Sequence, residues 1–202
     1  MVGVVIEELA IGADPRRWGD VGFAVKEDRA TVGSVCLRFT AGEGVLGWQL
    51  DGNEEEIDGL PLASAAEAKP TGGTHPNGAT RIDHIVVFTP QLERTTRAFE
   101  EIGVDRRRVR EVETDEGPLR QGFFRLGEVI LEAVEHPRIE AGPARFWGIT
   151  FAVENLDAAA ELLGDRLGSI RDAVQPGRQI ATVRDSAGLG LPVALVSAPT
   201  NH

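Results

Sequence analysis

The feature that most constrains the fold of this 202-residue chain is an internal repeat of a strand, a helix and several further strands. Residues 81–93, RIDHIVVFTPQLE, begin with a run of β-branched and apolar side chains that predicts a strand. Thr89-Pro90 suits a helix start, because Thr accepts hydrogen bonds from free amides and Pro is tolerated in a first turn. Leu92, Thr96 and Phe99 then follow at i, i+4 and i+7, which predicts an amphipathic helix.

The same order of elements recurs about 64 residues further along the chain. Residues 144–153, ARFWGITFAV, predict a strand, and the next helix has its first apolar residue at Leu156, 64 positions after Leu92. Gly127 and Gly190 lie 63 positions apart, and each precedes a closing strand. Two copies of one unit at a fixed period indicate a duplicated structural module.

The chain is therefore predicted to have three units and one connection. Residues 1–50 are interpreted as a degenerate N-terminal module, because Val4–Ile11, Phe23–Val25, Thr31–Phe39 and Val45–Leu50 predict strands around a very short helix. Residues 51–80 are acidic at first and then rich in small residues, Pro and Gly, which is typical of a linker or a covering loop. The two full modules are predicted at 81–136 and 144–198.

Composition excludes several classes of function. The formal net charge of -11 opposes binding to nucleic acid or to anionic membranes. Cys36 is the one cysteine, so neither an intrachain disulfide nor a cysteine-based zinc site is expected. The acidic residues Glu7 and Glu8 interrupt the apolar start, which predicts neither a signal peptide nor a membrane span, and a cytoplasmic location follows as the expectation.

Four arginines interrupt this acidic background. We interpret them as a solvated surface or as an anion site, and the sequence leaves both open: Arg106, Arg107, Arg108 and Arg110.

His84 and Glu132 are the strongest candidates for chemistry. His84 lies in the middle of the first predicted strand of its module, and Glu132 lies in the last one. An imidazole and a carboxylate that share a concave surface suit a divalent ion. The alternative is a His hydrogen-bonded to a buried carboxylate without a metal.

Residues 119–135, LRQGFFRLGEVILEAVE, predict a β-hairpin with Leu126-Gly127 in its turn. In that register Gln121 faces Glu132 and Phe123 faces Ile130, so all four share one face of the sheet.

The tandem βαβββ pattern, with His in IDHIVVF and Glu in VILEAVE, resembles the vicinal oxygen chelate superfamily, which includes glyoxalase I and extradiol dioxygenases. The resemblance implies an α+β fold in which two modules form a cupped mixed sheet with helices outside. It also implies a metal held by one His or Gln and one Glu from each module. His84 and Glu132 match the first pair, whereas Gly148 and Leu195 stand at the second.

The absent pair implies that further ligands come from elsewhere. Glu8, His75 or a second subunit are the candidates, and a homodimer is accordingly among the expected partners.

A small-molecule pocket is expected in the cup with or without a metal. Phe123 and Trp147 are predicted to form apolar walls, with Gln121 and Arg178 as polar selectors. The opposing interpretation is that the aromatic residues only fill the core.

The leading hypothesis is a small-molecule protein of the glyoxalase type. As an enzyme it would be a metal-dependent lyase, isomerase or dioxygenase, with a divalent ion at His84 and Glu132 and with Glu132 as the proton shuttle. The alternatives are a metal-free protein that binds or sequesters a small molecule and a non-catalytic interaction module.

Overall fold

The computed structural model describes residues 3–52, 55–64 and 73–198. Their strands form two mixed sheets, one of four strands and one of eight. The first sheet and its helix comprise β1 (Val5–Gly12), α1 (Pro15–Asp20), β2 (Arg29–Val32), β3 (Val35–Thr40) and β4 (Gly44–Asp51).

The eight-stranded sheet contains two βαβββ modules. The first comprises β5 (Ala79–Phe88), α2 (Leu92–Glu101), β6 (Arg108–Thr114), β7 (Gly117–Leu126) and β8 (Val129–Glu135). The second comprises β9 (Arg145–Val153), α3 (Leu156–Leu163), β10 (Arg171–Asp172), β11 (Gln179–Thr182) and β12 (Val193–Ser197). Two single-turn 3₁₀ helices interrupt the second module, at Gly164–Arg166 and Asp185–Ala187.

The two modules meet through their first strands. The strand order is β10-β11-β12-β9-β5-β8-β7-β6, with β5 and β9 antiparallel at the centre. Each of these two strands has the last strand of its own module as a parallel neighbour on the other side. The predicted α+β fold of tandem modules in a cupped mixed sheet is confirmed.

The helices cover one face of the eight-stranded sheet. The predicted stripe of Leu92, Thr96 and Phe99 is buried. Helix α2 begins later than predicted, because the Thr89 hydroxyl accepts from the amide of Gln91 rather than capping the helix itself. The Glu135 carboxylate accepts from the amide of Leu92 and thereby anchors the helix start to β8.

The four-stranded sheet resembles a module that lacks one strand. Strand β3 lies parallel to β1, as β8 does to β5, and β4 pairs antiparallel with β1 in the place where β9 pairs with β5. The predicted strand Phe23–Val25 is wrong, because this segment forms a loop. The predicted strand Thr31–Phe39 is divided by a turn at Gly33, whose φ of 62° favours glycine.

One continuous hydrophobic core joins the two sheets. The ring of Trp18 contacts Phe151 of β9 at 5.9 Å between centroids, and Trp48 contacts Phe99 and Phe146 at 6.2 and 5.0 Å. All these rings lie on the side of the eight-stranded sheet that carries the helices. The other side is therefore left free to form the cup.

Part of the predicted linker packs against this assembly. Asp58 accepts from the guanidinium of Arg94 at 2.6 Å and also from the Thr95 hydroxyl. Leu62 forms a bridge with Trp48 of β4. Residues 53–54 and 65–72 of this segment lie outside the described residues, and its role as a domain boundary stays a prediction.

Strand β6 was missed from the sequence, where it was interpreted as a polar stretch. It is an edge strand, and its sequence RVREVET carries charges on both faces. A charged edge strand protects a sheet from pairing with other chains, but it lacks the alternating apolar signal that predicts a strand.

Candidate functional site

The cup of the eight-stranded sheet contains a cavity of about 440 Å³. Strands β5 to β8 and β11 to β12 form its floor, and the loop of residues 173–178 forms one wall. Of the predicted site residues, His84, Gln121, Phe123, Glu132 and Arg178 line this cavity.

The hairpin that carries three of these residues has a different register from the predicted one. Its turn is at Gly127-Glu128, since Leu126 pairs with Val129. Phe123 therefore faces Glu132, and Gln121 faces Val134, one pair away from the prediction. The predicted common face is retained, because residues two apart on a strand lie on the same side.

Glu132 and Gln121 are diagonal neighbours on this face and are hydrogen-bonded. The Gln121 amide nitrogen donates to the Glu132 carboxylate. The amide oxygen of Gln121 is buried and has no partner among the described residues.

A β-bulge turns Asp83 and His84 together toward the cavity. Ile82 pairs with Phe151 and His84 with Thr150, so β5 has one residue more than β9 at this point. Bulges re-aim side chains in this way at the expense of regular pairing. As a result, Asp83 Oδ2 lies 3.0 Å from Nδ1 of His84.

Arg178 supports this pair from the opposite wall. It is 6 % exposed, and its Nη2 donates to Asp83 Oδ1 at 2.7 Å. Its other nitrogens donate to the Ser197 carbonyl and to the Gln175 side chain. Arg178 lines the cavity as predicted, and each of its three nitrogens donates a hydrogen bond within the protein. Its role in ligand binding stays a prediction.

The charge of Asp83 fixes the tautomer of His84. Burial is the largest influence on this carboxyl and opposes its ionisation, but the hydrogen bonds from His84 and Arg178 outweigh burial and lower its pKa to about 2. An ionised carboxylate only accepts, so Nδ1 of His84 carries the hydrogen. In the neutral ring Nε2 then has a free electron pair.

Arginines that the sequence left undecided also line the cavity. They are Arg107, which directly precedes β6, and Arg108 and Arg110, which lie in it. Arg125 of β7, which was not singled out from the sequence, lines the cavity as well. The spacing of Arg108 and Arg110 by two residues was the available signal, but without the strand assignment it had no meaning.

Trp147 does not line the cavity. It stacks on Phe88 with 5.2 Å between ring centroids and is 46 % exposed. Another of the bulges between β5 and β9 falls at Trp147, which has no partner in the regular pairing. Its assignment as a ligand-binding residue stays a prediction. The position of Trp147 outside the pocket argues against this assignment.

The second module has no metal ligands at the matching positions. Thr150 pairs with Ala194 just as Val86 pairs with Glu132, so Ala194 is the counterpart of Glu132; the predicted counterpart, Leu195, was one residue off. Gly148 is closed to any side chain, because a Cβ there would lie 2.7 Å from the carbonyl oxygen of Pro192.

Nor do the other candidate donors complete the set. The Glu8 carboxylate is 2.6 Å from Nε of Arg38 in the four-stranded sheet. His75 is buried, accepts from the Ala24 amide at 2.9 Å and contacts the Thr31 carbonyl at 2.8 Å. Within residues 3–52, 55–64 and 73–198 there is no cluster of three His, Cys, Asp or Glu residues with metal-binding geometry. The donors in the described part of one chain therefore do not fit a tightly held metal ion.

The topology and the cup define the vicinal oxygen chelate, or glyoxalase-like, fold, and the resemblance inferred from the sequence is confirmed at that level. A triple mutant of 4-hydroxymandelate synthase from Streptomyces coelicolor aligns over 98 % of this chain and 93 % of its own, with a TM-score of 0.63 and 12 % identity. A methylmalonyl-CoA epimerase from Mycobacterium tuberculosis aligns over 60 % of this chain and 91 % of its own, with a TM-score of 0.47 and 16 % identity. A methylmalonyl-CoA epimerase variant from Streptomyces coelicolor aligns over 60 % and 96 %, with a TM-score of 0.48 and 21 % identity.

No protein-family model and no curated protein matches the sequence. In the part of the chain that the structure describes, no helix has the length and apolar character needed to cross a membrane.

Proposed function

We propose that this chain binds a small organic molecule in the cup and moves a proton on it, as an isomerase or a lyase does. The observation that carries the proposal is that His84, with its tautomer fixed, and Glu132 line one cavity of about 440 Å³. This volume is in the range of small-molecule sites. One fold supports many reactions, so the argument rests on these side chains.

Glu132 is the proposed proton carrier. Its carboxylate accepts a proton from a carbon next to a carbonyl group, and the electron pair of the C–H bond moves onto the carbonyl oxygen. Return of the proton to carbon completes an isomerisation. The hydrogen bond from Gln121 holds the carboxylate in place during both transfers.

His84 is proposed to orient the ligand. Because Nδ1 donates to Asp83, Nε2 accepts a hydrogen bond from a ligand hydroxyl group. Phe123, which faces Glu132 across the hairpin, packs against the carbon skeleton.

Proton transfer is tested by deuterium exchange. The protein is incubated in D₂O with 2-oxobutyrate, acetoacetate or dihydroxyacetone, and loss of the proton signal next to the carbonyl is followed by NMR. We expect exchange on at least one compound, reduced about a hundredfold or more in Glu132→Gln. Glu140→Gln, at an exposed loop position, is the matched control. Wild-type exchange no faster than that of Glu132→Gln on all three compounds contradicts the catalytic role.

A metal-free binding or sequestering protein is the second candidate. The closed position at Gly148 and the apolar Ala194 favour it, since both remove donors that a resident ion needs. A cup that binds small molecules equally well in wild type and in Glu132→Gln, with no exchange in either, supports this candidate.

The metal prediction has its own test. Metal content of protein purified without chelator, and a thermal-shift titration with divalent ions, are compared for wild type and His84→Ala. About one ion per chain that is lost in His84→Ala would revive the metal-dependent hypothesis. A homodimer stays a prediction and is tested by sedimentation.

A further inference from the structure

The charges around the cavity suggest what kind of molecule it takes. We propose that the ligand is a small organic anion, whose charged group binds Arg108, Arg110 and Arg125 and whose apolar part lies against Ile180 and Val196. The inference rests on the proposed use of the cup as a small-molecule site and specifies the class of ligand.

The three arginines share the cup face of the sheet. Arg108 pairs with Phe123 and Arg110 with Gln121 across β6 and β7. Arg125 pairs with Ile130 across β7 and β8. Residues directly opposite each other in antiparallel strands point to the same side. The guanidinium carbon of Arg108 lies 4.7 Å from the centre of the Phe123 ring, so that this arginine lies over the cavity floor.

These arginines lack carboxylate partners. Arg107, Arg108, Arg110 and Arg125 form no ion pair with any residue that the structure describes. Arg106 and Arg120, which are close by in sequence but on the helix side, both pair with Glu93. Whether an arginine of this region forms an ion pair therefore depends on the face of the sheet on which it lies, since acidic residues are close by in sequence in both cases.

The cavity is consequently positive in an acidic protein. Five arginines and two carboxylates line it, Asp83 and Glu132, which leaves an excess of three positive charges; the whole chain has a formal net charge of -11. Like charges held close together repel one another. A bound anion removes that repulsion and forms charge-assisted hydrogen bonds with the guanidinium groups.

The second module supplies the apolar side of the cavity. Ala173, Val174, Ile180 and Val196 line it there. Ile180 and Val196 face each other across β11 and β12. A molecule with one charged end and one apolar end matches both sides at once.

The test uses a pair of fluorescent probes that differ by one charged group. 8-Anilinonaphthalene-1-sulfonate has the same two aromatic units as N-phenyl-1-naphthylamine plus a sulfonate. Binding of each is measured by fluorescence titration to folded wild type and to Arg108→Gln, Arg110→Gln and Arg125→Gln. Arg97→Gln, on the exposed side of α2, is the control for loss of one positive charge. Far-ultraviolet circular dichroism verifies that each variant is folded.

We expect the sulfonate probe to bind about tenfold more tightly than the neutral probe. Each cup variant should weaken the sulfonate probe about threefold to tenfold and leave the neutral probe unchanged, while Arg97→Gln changes neither. Higher salt should weaken only the sulfonate probe. Equal binding of the two probes, unaffected by the cup variants, overturns the anion inference but leaves the binding function intact. If neither probe binds wild type at one site per chain, the binding function itself is overturned. The same holds if both probes bind but Ile180→Asp, which places a charge on the apolar side of the cavity, leaves their binding unchanged.

Discussion

Asp83 and Arg178 form a buried ion pair that ties the bulged strand β5 to the loop before β11. Asp83 Oδ1 lies 2.7 Å from Arg178 Nη2, and both side chains are only 6 % exposed. This pair connects the two modules on the cup side of the sheet. It also fixes the carboxylate that orients His84.

We therefore expect Arg178→Ala to destabilise the protein by about 3 kcal/mol, because a buried carboxylate loses its shortest ion pair. Asp83 keeps His84 at 3.0 Å and Arg81 at 3.4 Å, so the cost lies at the low end for a broken buried pair. The free energy of unfolding is measured by urea titration. Arg171→Ala, at an exposed position nearby, is the control. A cost below about 1 kcal/mol for Arg178→Ala would show that water replaces the guanidinium, contrary to this expectation.

The same pair predicts a loss of stability in acid. The pKa of Asp83 is lowered from 3.8 to about 2 in the folded chain, so the unfolded chain binds this proton more tightly. The resulting contribution of about 2 kcal/mol is complete above pH 3.8 and is lost as the pH falls through 2. Asp83→Asn should lack this part of the pH dependence, whereas Asp172→Asn should retain it. Identical pH profiles for wild type and Asp83→Asn contradict the prediction.

The buried His75 should cause a second pH dependence of stability, at higher pH than that of Asp83. Burial lowers its pKa below 6.5, against a smaller opposing influence of the Thr31 carbonyl. The unfolded chain again binds the proton more tightly, so stability is complete above pH 6.5 and declines as the pH falls from there toward the lowered value. His75→Gln should be less stable at neutral pH by about 1–3 kcal/mol and should lose this decline. His136→Gln is the control; if it abolishes the decline instead, the effect belongs to another group.

His84, Glu132 and the residues around them show which parts of the site could be predicted from the sequence. The duplication placed His84 and Glu132 on first and last strands of one module, and the cup brings both to one cavity. The bulge at Asp83 was not predictable, because alternation alone puts neighbouring residues on opposite faces. The edge strand β6 was missed for lack of apolar residues, and with it the position of Arg108 and Arg110.

Hydrogen-bond partners that are distant in the sequence could not be predicted either. His75 was considered a candidate ligand, but its two nitrogens bind backbone groups 51 and 44 residues away. Such contacts depend on how two sheets pack, which no local pattern records.

Trp147 offers a test of where the pocket ends. It stacks on Phe88 outside the cavity, so Trp147→Ala should leave the affinity for the sulfonate probe within about twofold. The lost ring contact should cost about 1 kcal/mol of stability. Phe123→Ala, at the cavity floor, should weaken the same probe severalfold. Equal losses of affinity in Trp147→Ala and Phe123→Ala would show that Trp147 does contact the ligand.

Gly148 should not tolerate even a methyl group. Gly148→Ala places a Cβ 2.7 Å from the Pro192 oxygen and should cost about 1–3 kcal/mol in urea unfolding. Gly19→Ala, where a Cβ has open space, should be neutral or slightly stabilising. An unchanged stability for Gly148→Ala would mean that the loop at Pro192 yields easily and that this position can hold a larger side chain.

The lack of a side chain at Gly148 is part of a wider asymmetry between the two modules. A cup built from two equivalent modules offers a ligand two poses related by its pseudo-twofold axis, with the same contacts in each. Here the first module supplies the imidazole, Glu132 and the guanidinium groups without ion pairs, while the second supplies mainly apolar side chains, together with Gln175 and Arg178. The two poses therefore make different contacts, and the duplicated scaffold presents an asymmetric cavity that distinguishes one end of a bound molecule from the other.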